Sequence, residues 1–387
     1  MSVVYYDTYT QSLNHQGEEL CGDQVKILRT PGKMLVVLSD GLGSGVKANI
    51  LARLTTEILV TMFREQVPLK DVLETVFATL PTCKVRQIAY AAFMVVEVEL
   101  ANGRFRVINF DCPAPFWLRA GRLLPLEQRE ETILGRKLLR SEGTLELGDF
   151  IGLISDGVMY AGMGTIMNIG WGREQIGACF EQLTRGRPVS AEAIVHRLME
   201  KTSSLYGGAP GDDATLAGIF VRKPNRLMLF TGPPMDQTQD EACVERLLRF
   251  DGRKVVCGGT TGNIVAEHLG EIASLDLTTV REDIPPIGNL PDIDLMTEGV
   301  LTLARTLRLL KESQGNLRRV PVDRNGATLL TGELLRADKI FFLAGEQVNP
   351  YYQNPLLPRN ISIRHNLIAQ IIELLGAYQK EVTIEWC

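Results

Sequence analysis

Leu35-Val36-Val37-Leu38-Ser39-Asp40-Gly41-Leu42-Gly43-Ser44-Gly45 is a short apolar run that ends in Ser-Asp-Gly and leads through a glycine-rich turn into a long amphipathic segment. The run is short, β-branched and bounded by turn residues, the signature of a buried strand. Asp40 is then expected at a strand end, held rigidly and facing the following loop. The pattern recurs: Phe150-Ile151-Gly152-Leu153-Ile154 runs into Ser155-Asp156-Gly157, and Gly211-Asp212-Asp213-Ala214-Thr215 precedes the apolar run from Leu216 to Val221. Taken singly, an Asp-Gly after a strand is an ordinary turn. Three carboxylate clusters at strand ends, far apart in sequence, are what an all-oxygen metal site requires. Hard divalent cations such as Mg²⁺ and Mn²⁺ take oxygen ligands, and strands fix ligands more tightly than loops do. The glycine after each aspartate is expected to turn the backbone sharply and to let a carbonyl approach an ion.

A fourth acidic element, Cys21-Gly22-Asp23-Gln24, lies one strand earlier. With it, the segments SDGLGSG, GDFIGLISDG and GDDATLAGIFV resemble, in order, the metal-dependent Ser/Thr protein phosphatases of the 2C type. Within that group they look most like the bacterial branch around the stage II sporulation protein E, over about residues 1–223. The resemblance implies two central antiparallel sheets with helical layers outside and a metal site at one edge between the sheets. It implies two ions, Mn²⁺ or Mg²⁺, with Asp40 bridging both and the Gly41 carbonyl helping to hold one. Asp156 and Asp212 hold the other, and Asp23 supports the site directly or through water. Asp212 is taken as the ligand because it stands first in the family's acidic pair, and Asp213 caps or braces. Two such ions activate one water and neutralise a phosphate dianion; the water attacks phosphorus in line and displaces the Ser or Thr oxygen. The chain shows no N-terminal arginine for the phosphate. The partner implied is a phosphorylated regulatory protein, an anti-sigma-factor antagonist or related switch protein.

At 387 residues, 45% hydrophobic and 22% charged, the chain is long enough for two ordinary globular domains. A net charge of −5 does not advertise nucleic-acid binding. No charged-then-apolar start and no apolar run of about 18 residues is present, so neither a signal peptide nor a membrane span is expected. Seven cysteines, with no Cys-x-x-Cys pair, favour a reducing, cytoplasmic setting over a disulfide framework or a zinc site. Cys21 and Cys257 are read as small buried residues, and His15 as a solvent-exposed loop histidine near Asp23.

Strands are expected over 2–14 and 24–30. A helix is expected from Ser44 to Phe63, with Val46, Ile50, Leu51, Leu54, Ile58, Leu59 and Met62 as its apolar stripe and Lys47, Arg53, Thr56 and Glu57 largely off it. A second helix is read from Pro68 to Leu80. Hairpins follow, with Ala89–Leu100 against Arg104–Phe110 and Pro115–Arg119 against Arg122–Pro125. Thr144–Leu147 and Asp149–Ser155 read as strands, Arg173–Gln182 and Ala191–Ser204 as helices, and Ala214–Val221 as the final strand. The fold class is α+β: a two-sheet antiparallel β-sandwich flanked by helices, the 2C-type phosphatase fold, plus a C-terminal α/β domain.

The junction is expected near Lys223-Pro224-Asn225, giving a phosphatase domain over 1–223 and an α/β domain over 225–387. In the latter, strands Arg226–Thr231, Arg253–Cys257 and Lys339–Leu343 alternate with helices Gln237–Phe250, Gly262–Leu269, Met296–Glu312 and Ser362–Lys380. Asn349–Pro355 reads as a long irregular loop. Cys257-Gly258-Gly259-Thr260-Thr261-Gly262-Asn263 follows a strand and opens a helix. Gly258, Gly259, Thr260 and Thr261 form a candidate site for a small anionic ligand, although no P-loop lysine follows and the spacing is not that of a dinucleotide fingerprint. Two other readings stand beside the protein phosphatase: a ligand-sensing regulatory or scaffold protein, and a phosphatase of small metabolites.

Overall fold

The computed structural model describes residues 4–79, 91–164, 166–186, 190–347 and 363–387. It divides into two compact units, Met1–Lys223 and Pro224–Cys387.

Unit 1 is a sandwich of two antiparallel sheets. One has the order β1-β11-β10-β6-β7, from Tyr5–Leu13, Ala214–Arg222, Phe150–Ile154, Phe116–Arg119 and Arg122–Leu124. The other has the order β2-β3-β4-β5-β9-β8, from Asp23–Arg29, Lys33–Gly41, Ala91–Glu99, Arg104–Phe110, Arg136–Thr144 and Arg129–Ile133. β3 reads as an unbroken apolar run because both of its faces are covered. Met34, Val36 and Leu38 pack into the inter-sheet core with Val96, Ile151 and Ile219. Leu35 and Val37 pack outward against Leu59 of α1 (Gly45–Arg64) and Leu73 of α2 (Leu69–Thr79). On the other sheet, Phe150, Leu216 and Phe220 meet Phe180 of α4 (Arg173–Arg185) and Leu198 of α5 (Ala191–Leu205). The layers therefore run helix, sheet, sheet, helix.

Several expectations are corrected. The buried face of α1 is Ala48, Leu51, Ala52, Thr55, Thr56, Leu59 and Val60, whereas Val46, Ile50 and Leu54 of the expected stripe are exposed. Close backbone approach, described below, selects small residues for the contact face. Thr144–Leu147 is not a strand; β9 ends at Thr144 and pairs with β8 through a turn at Leu134-Gly135, a hairpin too polar to show an apolar pattern. Asp156 opens a short helical turn, α3 (Asp156–Met159). Ala89, Leu80 and the loop Asn349–Pro355 lie outside the described residues.

Unit 2 carries a seven-stranded sheet, β14-β15-β16-β13-β12-β17-β18. Its parallel strands are Leu295–Thr297 (β16), Arg253–Cys257 (β13), Arg226–Thr231 (β12), Lys339–Ala344 (β17) and Glu381–Trp386 (β18). Ser274–Asp276 (β14) and Ile287–Asn289 (β15) add an antiparallel edge. Leu227 and Leu229 face α8 (Val300–Ser313), α9 (Gly326–Arg336) and α10 (Ile363–Ala377). Met228 and Phe230 face α6 (Asp240–Leu248) and α7 (Gly259–Leu269). Met296 belongs to β16 and not to a helix start, and α7 begins three residues earlier than expected, so the glycine turn is its first turn. Among the described residues no helix is long and apolar enough to cross a membrane, and the six described cysteines are all free.

Candidate metal centre

The strand register assembles the acidic residues. Asp23 lies directly opposite Asp40 in the β2–β3 pair, an arrangement that repulsion makes costly unless something neutralises it. Asp156 follows β10, and Asp212-Asp213 precedes β11, which lies beside β10. Asp40, Asp156 and Asp212 line one cleft of about 480 Å³ with His15, Gly43, Ser44, Ala92, Asp111 and Gly211. Among the described residues lining it, none is lysine or arginine.

The glycines after the aspartates let chain segments approach closely, a job the sequence did not announce. Neither Gly41 nor Gly157 is left-handed. A Cβ on Gly41 would collide with the Ala48 carbonyl of α1, and one on Gly157 with the Asp213 carbonyl. A Cβ on Gly22 would sit 2.7 Å from Asp213 Oδ2 and 2.9 Å from Ala48 Cβ. Each glycine lets two chain segments touch, and together these contacts draw β2, β3, α1, α3 and the start of β11 around the cleft.

Burial first, then the charges of Asp23, Asp156 and Asp212, then a hydrogen bond to Asp156, push the Asp40 pKa to about 9. The same hydrogen bond acts in the opposite sense on Asp156, whose pKa is raised by burial and lowered by that bond. Burial raises Asp23 to about 7 against the opposing bonds from Ser155 and Thr215. Burial and the charge of Asp156 raise Asp212, while the Asp213 amide bond lowers it.

Groups that the sequence reading passed over hold these carboxylates. Ser155 Oγ donates to Asp23 Oδ2 at 2.7 Å and accepts from the Thr215 amide at 2.8 Å. Ser39, its counterpart in the first repeat, instead donates to the Ala92 carbonyl on β4. Asp213 braces, as expected: it accepts from the His15 amide at 2.9 Å. His15 is consequently not a solvent-exposed loop residue but lines the cleft. Tyr206 Oη donates to the Gly157 carbonyl at 2.6 Å. Asp111, left-handed at φ 58 after β5, adds a further carboxylate at the rim. Burial and the nearby carboxylates push the Cys21 thiol up to about 12, which removes it as a nucleophile. In unit 2, Cys257 is fully buried, and Gly258, Gly259, Thr260 and Thr261 form the turn into α7.

The donor set fits hard divalent cations. It is all oxygen, and Asp23 Oδ1 and Asp213 Oδ2 are buried without any hydrogen-bond partner. Among the described residues no three acidic, histidine or cysteine side chains are already gathered into an ion cage.

Residues 30–222 match the family model described as Stage II sporulation protein E (SpoIIE). No curated protein matches the chain. Among solved structures, the phosphatase domain of the cell fate determinant SpoIIE from Bacillus subtilis is 16% identical with a TM-score of 0.42, over 58% of this chain and 95% of that one. A longer piece of that protein, the phosphatase domain with a fragment of the regulatory domain, is 17% identical with a TM-score of 0.46, over 56% and 62%. The RsbU and RsbW domains of a Mycobacterium tuberculosis protein are 18% identical with a TM-score of 0.46, over 64% and 68%. The match leaves unit 2 uncovered and takes in most of unit 1, which belongs to the SpoIIE family and is a protein phosphatase domain of the 2C type.

Proposed function

We propose that unit 1 hydrolyses phosphoserine or phosphothreonine on a bacterial regulatory switch protein of the anti-sigma-factor-antagonist kind, with two divalent cations, Mn²⁺ or Mg²⁺, in the cleft. The observation that carries this reading is the cleft itself: Asp40, Asp156 and Asp212 converge on it, and among the described residues that line it none is basic. A phosphate dianion does not enter such a site unless cations reverse its charge. Asp40 and the Gly41 carbonyl, with Asp156 and Asp212, would hold the cations, and Asp23 would support them. Bound there, they would supply charge neutralisation and a water acidic enough to deprotonate near neutral pH. Ser155 fixes Asp23, and Asp213 fixes the His15 loop at the rim, so the acidic groups are held in position for the cations.

The test pairs turnover with a binding signal. Hydrolysis of a phosphoserine protein should require Mn²⁺ or Mg²⁺ and stop with chelator, and Mn²⁺ should raise the melting temperature of the resting protein. Asp40→Asn, Asp156→Asn and Asp212→Asn should each lower kcat by about 10² or more, the scale of losing an essential electrostatic group, and should shrink the Mn²⁺-induced shift. Two of the three variants working near the wild-type rate would overturn the assignment. Faster turnover of small phosphate esters than of any phosphoprotein would overturn the substrate class.

A further inference from the structure

Two helix starts meet at the carboxyl ends of β13 and β16 in unit 2, and neither is capped by a side chain. α7 begins after Gly258 and α8 after Gly299. A Cβ on Gly299 would lie 3.4 Å from Gly258 Cα, and the Gly258 amide donates to the Thr297 carbonyl at 2.9 Å. The first intrahelical bonds are Gly262 to Gly258 at 2.8 Å and Leu303 to Gly299 at 3.0 Å. The amides of Gly259, Thr260 and Thr261, and of Val300, Leu301 and Thr302, therefore have no acceptor within their helices. None has another acceptor among the described residues. Two positive helix ends point at one place.

A second, independent observation points to a ligand. Thr261 and Thr302, each the third residue of its helix, are 0% exposed, and both hydroxyls lack any partner. Thr261 Oγ1 faces the turn, 3.1 Å from where a Gly258 Cβ would stand. Buried hydroxyls without partners are costly and uncommon. Gly259 is also informative: it is not left-handed, and a Cβ there would meet nothing within 4 Å. Among the described residues neither conformation nor packing asks for glycine at that position, and none fills the space above the start of α7.

Ligands of open α/β sheets bind outside the carboxyl ends of the strands. The crevice between β12 and β17 is already filled, because Gly345 is pressed on the Pro233 carbonyl and Arg364 covers Gly232. The Arg364 guanidinium donates to the Gly345 and Gln347 carbonyls, each at 2.7 Å. That leaves the β13–β16 end. There Glu298 lies close enough to raise the pKa of the Cys257 thiol. Its Oε2 is buried and unpartnered. A carboxylate beside an anion site needs a hydroxyl donor and not a second anion.

We propose that unit 2 binds a sugar phosphate or nucleotide, with its phosphate on the paired starts of α7 and α8 and a sugar hydroxyl on Glu298. The assignment does not rest on the phosphatase reading of unit 1. The test is calorimetric titration of the full chain with inorganic phosphate and with AMP, in excess chelator so that cation-dependent phosphate binding in unit 1 makes no contribution. Both should bind saturably, AMP more tightly. Thr261→Val with Thr302→Val should weaken both at least tenfold without lowering the melting temperature, since the lost hydroxyls have no partners in the resting protein. Gly259→Glu should abolish binding. Glu298→Gln should weaken AMP and leave inorganic phosphate unchanged. Absence of binding by both probes, or affinities unmoved by the threonine pair and by Gly259→Glu, would overturn the site. AMP affinity unmoved by Glu298→Gln would overturn the hydroxyl-bearing class.

Discussion

A methyl group at position 41 has no room. Gly41 lies against the Ala48 carbonyl, so Gly41→Ala must push α1 and β3 apart at the point where Asp40 leaves the strand. The expected outcome is a loss of roughly 1–3 kcal/mol, the usual cost of overpacking, read by urea unfolding, together with a reduced Mn²⁺-induced melting shift. An unchanged shift would separate the helix contact from the metal centre. Glu97, on β4, offers a pH test away from the cleft. Burial alone would raise its pKa, but bonds from Lys33 and Arg106 lower it below the usual value. The Lys33 bond is 2.7 Å and the nearer Arg106 bond 2.6 Å. A carboxylate held below its unfolded pKa of about 4.3 stabilises the fold above that pH and loses the contribution as pH falls through the folded value. Glu97→Gln should therefore lower the melting temperature at pH 7, and the difference should shrink as pH falls below the unfolded value and through the lower folded one. A difference that persisted at low pH would assign the loss to packing.

At the level of the element, α1 shows what periodicity can and cannot tell. Its extent was legible, because apolar residues recur at helical spacing from Val46 to Met62. Its buried face was not, since close contact of Ala48 with Gly41 and Gly22 turns the small residues Ala48, Ala52 and Thr55 inward beside Leu51 and Leu59. Leu51→Ala should cost about 2–5 kcal/mol as a buried truncation, whereas Ile50→Ser, on the exposed side, should stay within about 0.5 kcal/mol. Chemical denaturation of both variants checks the rotation. β13 was readable to the residue because Lys254–Cys257 sits between a charged turn and a glycine turn. β8 and β9 were missed because Arg129-Glu130-Glu131 carries no apolar face, and α9 because Gly326, Thr328, Thr331 and Gly332 are interleaved with Ala327, Leu330, Leu334 and Leu335 on its buried side. The acidic ligand candidates could be read from the chain because each stands beside an apolar strand. Ser155, Thr215 and Asp111 could not, because they gain their meaning from partners brought close only by folding; Ser155 reaches Asp23 across 132 positions.

At the level of the whole molecule, the two units suggest a division of labour. We expect a fragment ending at Lys223 to fold and to keep cation-dependent hydrolysis of a simple phosphate ester, since the three clusters of unit 1 are complete within residues 4–222. A fragment that aggregates, or that binds Mn²⁺ without turnover, would show that unit 2 completes the catalytic machinery. The pairing of β1 has a separate consequence for how unit 1 comes into being. Tyr5 lies opposite Arg222 and Leu13 opposite Ala214, and β11 is the strand that joins β1 to the rest of its sheet. On the ribosome, β1, made before the other strands of unit 1, is thus among the last of them to find its place. At about 5–20 residues per second, β1 waits roughly 10–40 s for its partner, with an unpaired backbone edge and with Tyr6 in water. The rate of translation through the middle of unit 1, and whatever shields that edge meanwhile, set how much of the chain reaches its native sheet before it finds another.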